Sequence, residues 1–320
     1  MSVNTIKIGS AIPEIIEIDD IAEDIFDLPK PERILIVEGN TDVIVLENYL
    51  DLKKTPINFL IRAVSMVDDD ERSGKDTALE YYDKNKDKQE IILLLDRDYD
   101  FICSTERNDE RIIYYDYYSL ENYFFEEVVL KYSLMSNGVS KPQRDKILDF
   151  MNSDKQEILS PLIECSKLRI FRKYHKEKKT SFQLNDEKIV EFADFIKNID
   201  INGCIHGKNR NLTGSSFKDR LHIYINRSLD DIDPELYQQI QNFLTQIDIT
   251  YPCTLIEYFK NFFNGKDSLK FIVELLLNEN LLSSRIGRIS SKETLRSYIF
   301  HSDLYQAKIQ TVINRFSTYS

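Results

Sequence analysis

The chain comprises 320 residues with a formal net charge of −12 and a hydrophobic fraction of 42%, room for two domains of ordinary size, each with its own core. No uncharged apolar run approaches the roughly 18 residues of a membrane span, and the acidic balance excludes a simple basic coat for nucleic acid, although not a protein that meets nucleic acid through a local basic surface and bound metal. Cys103, Cys165, Cys204 and Cys253 are too widely spaced for a zinc ribbon or a disulfide framework and read as buried, reduced thiols.

Residues 1–32 carry eight Asp or Glu against two Lys. They lack the basic-then-apolar pattern of a signal peptide, so a cytoplasmic location is expected. Two short apolar stretches, Val3 to Ile8 and Ile15 to Ile18, precede the turn Leu28-Pro-Lys-Pro31 and predict a small acidic arm or hairpin. From Glu32 the pattern becomes periodic. Arg33 to Val37 predicts a strand, and Thr41 to Leu50 a helix with Val43, Leu46 and Leu50 on one face. Asn58 to Val64 is the second strand, Val67 to Lys75 an acidic loop holding Ser73-Gly74, and Asp76 to Tyr82 a helix. Ile91 to Leu95 is the third strand, Ile112 to Tyr115 the fourth, and Leu120 to Leu134 a helix. Strands alternating with helices predict an α/β, doubly wound, mostly parallel sheet over residues 33–139.

Beyond Ser136-Asn137-Gly138 no comparable strand follows, so residues 140–320 read as a mainly helical second domain. Its helix candidates are Gln143 to Met151, Gln156 to Tyr174, Asp186 to Ile199, Phe217 to Asn226, Pro234 to Ile247, Thr254 to Phe263, Ser268 to Leu282 and Ser291 to Phe316. The last has an apolar face suited to docking on a partner, on a second copy or, more commonly, on its own domain.

Two strands end in carboxylates: Ile34-Leu-Ile-Val-Glu38, with Asp42 following a Gly turn, and Ile91-Ile-Leu-Leu-Leu-Asp96-Arg-Asp98-Tyr-Asp100. Ligands bind at that edge of open α/β sheets, so these acids can converge on a cation. In extended backbone Asp96, Asp98 and Asp100 share one side. Magnesium takes oxygen ligands and lets substrate phosphate complete its shell, and two such ions can activate water and stabilise the leaving oxygen of a phosphodiester displacement. Solvated turn acids are the alternative for Asp-x-Asp alone.

Val37-Glu38-Gly39 through Asp42 and Asp96-Arg97-Asp98 resemble the two signature motifs of the TOPRIM domain of topoisomerases, primases and certain nucleases. Ser119-Leu120-Glu121 resembles the Ser-x-Glu element of the nuclease branch typified by the overcoming-lysogenisation-defect enzymes. The wider arrangement, with Ser-Leu-Glu-Asn-Tyr123 at the junction, resembles the AriB family, TOPRIM effectors of PARIS anti-phage systems. The resemblance implies a Mg²⁺-dependent nuclease (Mn²⁺ as a substitute, two ions), acting as an RNase on tRNA and restrained by an AriA-like ABC-type ATPase partner. Carried over, Glu38 is a metal ligand or general acid/base, Asp42, Asp96, Asp98 and Glu121 hold metal, and Ser119 orients the site. Asp100 lies beyond the family's pair, as a spare ligand or a helix cap. The branch also uses a late Lys near the scissile phosphate, for which Lys208 in His206-Gly207-Lys208 is the counterpart offered, a solvated turn being its alternative.

Residues 168–179 hold six Lys or Arg, one acid and two aromatics. Arg169, Arg172, Lys173, Lys176, Lys178 and Lys179 are the leading candidates for RNA contact, against a solvated helix face. The four histidines show no ligand spacing, and Tyr114-Tyr115 and Tyr117-Tyr118 read as strand and core packing. Two other functions stay open. A haloacid dehalogenase-like phosphotransferase would use Asp96 as nucleophile and Asp98 as acid, but that class places the pair after its first strand. A catalytically silent TOPRIM scaffold would bind nucleic acid or the ATPase without cutting. A homodimer is compatible by analogy alone.

Overall fold

A computed structural model describes residues 33–68, 71–88, 90–177, 234–283 and 298–318. The expected arm over 1–32, the helices over 186–199 and 217–226, and Lys178, Lys179 and Lys208 lie outside the described residues.

The apolar runs form four strands, β1 (Ile34–Val37), β2 (Leu60–Ala63), β3 (Ile91–Leu95) and β4 (Ile112–Tyr114), in a parallel sheet of order β2-β1-β3-β4. All five residues of β3 are buried, as the central strand of a parallel sheet covered on both faces must be. Alternation along the strands separates two cores. Leu35, Val37, Ile92 and Leu94 join a large apolar cluster, whereas Ile36, Ile91, Leu93 and Leu95 pack with Ala78 and Tyr82 on the other face. Truncating such a side chain, as in Leu94→Ala, costs about 2–5 kcal/mol.

Helix α1 (Asn40–Lys53) leaves β1 through Gly39 and packs into the large cluster, while α2 (Lys75–Lys84) covers the opposite face. Gly74, just before α2, has φ 96, a conformation glycine adopts without a steric cost. The rest of the chain adds α3 (Asp100–Cys103), α4 (Glu127–Ser136), α5 (Lys141–Asn152), α6 (Gln156–Lys176), α7 (Pro234–Leu244), α8 (Leu255–Asn261), α9 (Gly265–Asn278) and α10 (Asp303–Thr318). Among the described residues no helix is long and apolar enough to cross a membrane.

Two expected helices are broken. The segment from Leu120 divides into a 3-10 helix, Leu120–Phe125, and α4, with Glu126 extended between them. All six residues of the 3-10 helix are buried, which the single apolar stripe of a surface α-helix does not allow. Within the segment expected from Ser291, a 3-10 turn at Ile299–His301 precedes α10, because Ser302 Oγ accepts the Tyr305 N–H at 2.9 Å and starts a new helix. The helices beyond residue 139 share the large cluster with the sheet, which runs from Leu35 to Phe316 without a gap at the expected boundary. Cys103 and Cys165 are buried free thiols as expected, whereas Cys253 is exposed.

Candidate functional site

The chain moves from β1 to β2 on one side and returns to place β3 on the other, so the crevice of this sheet opens beyond the carboxyl ends of β1 and β3. The register pairs Val37 with Leu94, which brings the first residues past the two strands together. Glu38 Oε1 accepts the Asp96 backbone N–H at 2.8 Å, and Asp96 Oδ1 accepts the Leu120 N–H at 3.1 Å. Asp42 sits in the first turn of α1 and Glu121 in the first turn of the 3-10 helix. Four acids from three separate segments, Glu38, Asp42 and Asp96 half-buried and Glu121 buried, thus lie within one another's electrostatic reach.

Their electrostatics register the crowding. Burial pushes Glu38 up to about 8, with Asp98 adding to the rise and Lys75 opposing it. Burial and then Glu121 push Asp42 up to about 7, against a hydrogen bond from Tyr115 Oη to Asp42 Oδ1 at 3.3 Å. Asp96 lies well above the usual carboxylate range through burial and the charges of Glu38, Asp42, Asp98 and Glu121. Tyr115, expected to serve packing alone, therefore also touches the site.

Asp98 and Asp100 depart from the extended geometry expected of them. The strand ends at Leu95; Asp98 takes a left-handed conformation with φ 49, its N–H bonded to Tyr118 O at 2.7 Å, and Asp100 opens α3. Alternation therefore does not align the three acids. Lys75 joins two of them instead, with Nζ at 2.6 Å from Asp98 Oδ2 and 2.8 Å from Asp100 Oδ2. Asp100 is buried and also accepts from Lys173 Nζ at 2.6 Å and Thr105 Oγ1 at 2.5 Å. Burial raises its pKa, but Lys75, Lys173 and Thr105 outweigh that and hold it below the usual range. Burial disfavours the Lys75 ammonium, but Asp98, Asp100 and Glu38 more than compensate and raise its pKa. Asp100 is thus an anchor for two lysines rather than a spare ligand, and Lys75 is a central residue that sequence reasoning missed.

Ser119 caps the 3-10 helix reciprocally with Asn122, and its Oγ lies 2.9 Å from Glu121 Oε2 and 2.6 Å from Asn122 Oδ1. Asn122 Nδ2 donates to the carbonyls of Phe259 and Phe263, which ties this segment to α8 and to the residues before α9. Gly265, at the start of α9, comes so close that a Cβ there would stand 2.6 Å from Glu121 Cβ and from Ser119 Oγ. Only glycine fits that approach.

Beside the acids lies a cleft of about 520 Å³ lined by Glu38, Gly74, Lys75 and Asp98 on one side and Arg169, Arg172, Lys173 and Lys176 of α6 on the other. The structure thus brings four of the six expected RNA-contact residues to the acid site. They differ in commitment. Lys173 holds Asp100, Lys176 pairs with Asp76, and Arg169 lies over the Phe263 ring at 5.7 Å with Asp267 3.7 Å away. Arg172 is exposed on the rim.

Among the described residues no three His, Cys, Asp or Glu side chains already surround one point as a metal-binding group. The chemistry of the donor set nevertheless fits a hard divalent cation. All the donors are oxygens, Glu38, Asp42 and Asp96 lie in one another's field, the Lys75 ammonium is bound to Asp98 and Asp100, and Lys266 Nζ stands 4.0 Å from Glu121 Oε1. The buried Tyr305 hydroxyl, in the field of Asp42, has no hydrogen-bond partner among the described residues.

No protein-family model matches the chain, and no curated protein matches it.

Proposed function

We propose that this chain is a TOPRIM-type, Mg²⁺-dependent nuclease that cleaves phosphodiester bonds. The observation that carries the reading is the adjacency of a carboxylate cluster, half-buried Glu38, Asp42 and Asp96 with buried Glu121 and with Asp98 at its edge, to a cleft walled by Arg169, Arg172, Lys173 and Lys176. Acids alone repel a phosphodiester and cations alone only bind it. Side by side, they suit binding of the backbone next to a metal site.

In this reading Glu38, Asp42, Asp96, Asp98 and Glu121 hold one or two Mg²⁺ or Mn²⁺ ions, which supply charge neutralisation and an activated water. The chain's own groups do the rest. Burial and the charge of Asp98 raise the Glu38 carboxyl to about 8 while no cation is bound, so cation binding there competes with protons. The α6 cations seat the substrate phosphates, and the closest wall of the cleft supplies Lys75 as a cation beside Asp98. That position makes Lys75 a candidate for the basic group near the scissile phosphate, beside Lys208, which lies outside the described residues. The motif resemblance extends the proposal to an RNase effector acting on tRNA in the cytoplasm, in anti-phage defence, and held in check by an ABC-type ATPase partner.

Induced expression of the chain, beside Glu38→Ala and Asp96→Ala, tests this. Growth arrest with discrete new tRNA ends, abolished in both variants, is the expected result. A harmless wild type leaving RNA and DNA whole favours a second reading, a silent TOPRIM scaffold. One observation supports that alternative: Lys75 already neutralises Asp98 at 2.6 Å, so part of the acid set is satisfied within the chain.

A further inference from the structure

Tyr305 stands in α10, 263 positions along the chain from Asp42, yet its ring packs against α1, which carries Asp42, and against the 3-10 helix, which carries Glu121. Its side chain is fully buried, with ring contacts to Tyr49 at 5.5 Å and Tyr123 at 5.6 Å, both edge-on. Its backbone is fixed as well, because its N–H caps on Ser302 Oγ, which in turn donates to Glu126 Oε1 at 2.7 Å. For packing, phenylalanine would serve this aromatic cage. The hydroxyl is what needs explaining, since burying it without a partner costs free energy that a phenyl ring does not.

Its surroundings say where a partner would be. After burial itself, the carboxylate of Asp42 is the strongest influence raising the pKa of the Tyr305 hydroxyl. Tyr115, whose hydroxyl bonds Asp42 Oδ1 at 3.3 Å, lies within range of Tyr305 as well. Asp42 itself is in the field of Glu121 and Asp96. An unpaired phenol beside clustered carboxylates matches a bound species that brings its own hydrogen-bonding groups, and a hydrated divalent cation does so because Mg²⁺ retains several of its waters. Groups that bond the outer shell of a metal tune its affinity about 10- to 100-fold.

We propose that Tyr305 is a positioning residue of the acid site, its buried, unpartnered hydroxyl held beside Asp42 to hydrogen-bond the hydration shell of a divalent cation bound there. The inference rests on the metal-site reading above and adds to it that the C-terminal helix α10 completes the site. It predicts opposite signs for one substitution. Tyr305→Phe removes a hydroxyl that has no partner in the metal-free chain and takes one from the metal-bound chain.

The test uses the full chain, wild type and Tyr305→Phe, with two readouts: thermal stability in EDTA, and Mn²⁺ binding followed by loss of the free-ion EPR signal. The expected result is an unchanged or higher melting temperature in EDTA together with about tenfold weaker Mn²⁺ binding. In an Asp42→Asn background, Tyr305→Phe is expected to leave the remaining Mn²⁺ affinity unchanged. Equal Mn²⁺ affinity in wild type and Tyr305→Phe overturns the inference and leaves the metal-site reading standing. A lower melting temperature in EDTA, or failure of the variant to fold, overturns it too, since the hydroxyl would then be bonded within the chain. A wild type that takes up no Mn²⁺ overturns both.

Discussion

Lys75 Nζ lies 2.6 Å from Asp98 Oδ2, joining the start of α2 to the acid-bearing turn after β3. The same ammonium reaches Asp100 at 2.8 Å, and both Lys75 and Asp100 are buried. Removing one partner of a buried ion pair strands the other, a loss of about 3–5 kcal/mol. Lys75→Met is therefore expected to lower stability by that order in urea denaturation and to abolish nucleic-acid cleavage, with Mn²⁺ restoring part of the stability. Full stability and cleavage in Lys75→Met would show that the Lys75 contact is incidental.

The raised carboxyls give stability a sign with pH. Glu38 is pushed up to about 8 and Asp42 to about 7, while their ordinary values are 4.5 and 3.8. Between those limits the folded chain binds more protons at these groups than the unfolded chain, so their contribution to stability is present at low pH and is lost as pH rises through the folded values. In EDTA, Glu38→Gln is expected to lose less stability than wild type between about pH 5.5 and 8.5. Saturating Mn²⁺ is expected to stabilise the wild type more at the higher pH. Parallel pH profiles for the two proteins would contradict the crowding inferred for the cluster.

Gly265 offers a steric test away from the charges. A methyl group there meets Glu121 Cβ and Ser119 Oγ at 2.6 Å and Asn122 Oδ1 at 2.7 Å. Gly265→Ala is expected to destabilise by about 1–3 kcal/mol, the usual cost of overpacking, and to weaken Mn²⁺ binding by displacing Glu121. Unaltered Mn²⁺ affinity in a folded variant would separate Glu121 from the metal site.

Arg172 probes the cleft. It is exposed on the rim, so Arg172→Ala should leave the melting temperature within a degree or two while weakening RNA binding. The slope of log affinity against log salt is expected to fall in magnitude by about 0.7 to 0.9, the share of one phosphate contact. An unchanged slope places the backbone elsewhere.

What the sequence made legible was local. Ile91 to Leu95 reads as a buried strand because five apolar residues end abruptly in a charge; Asp96 follows from that strand end, and Glu38 from the same pattern at the end of Ile34 to Val37. Lys75 was not legible, because its partners are 23 and 25 residues away and meet it only once α2 lies beside β3. Strand alternation alone puts Asp100 beside Asp98 on one face; the left-handed turn at Asp98 removes that alternation. The break after Phe125 was hidden because six consecutive buried residues look like helix until the packing of Asn122 onto Phe259 and Phe263 is known. Gly265 and Tyr305 reach the site only through tertiary packing, and nothing in their own neighbourhoods announces it.

The most direct measurement is cleavage of end-labelled tRNA, with single-stranded DNA as a parallel substrate, by the purified chain in Mg²⁺ or Mn²⁺. Asp96→Asn and Glu38→Gln, which remove charge at nearly constant volume, run beside it. Discrete RNA products from the wild type, lost in EDTA and in both variants while each variant stays folded, is the predicted result. Cleavage that survives Asp96→Asn, or RNA and DNA left whole by a folded wild type in either metal, would contradict the assignment of the carboxylate cluster to phosphodiester hydrolysis.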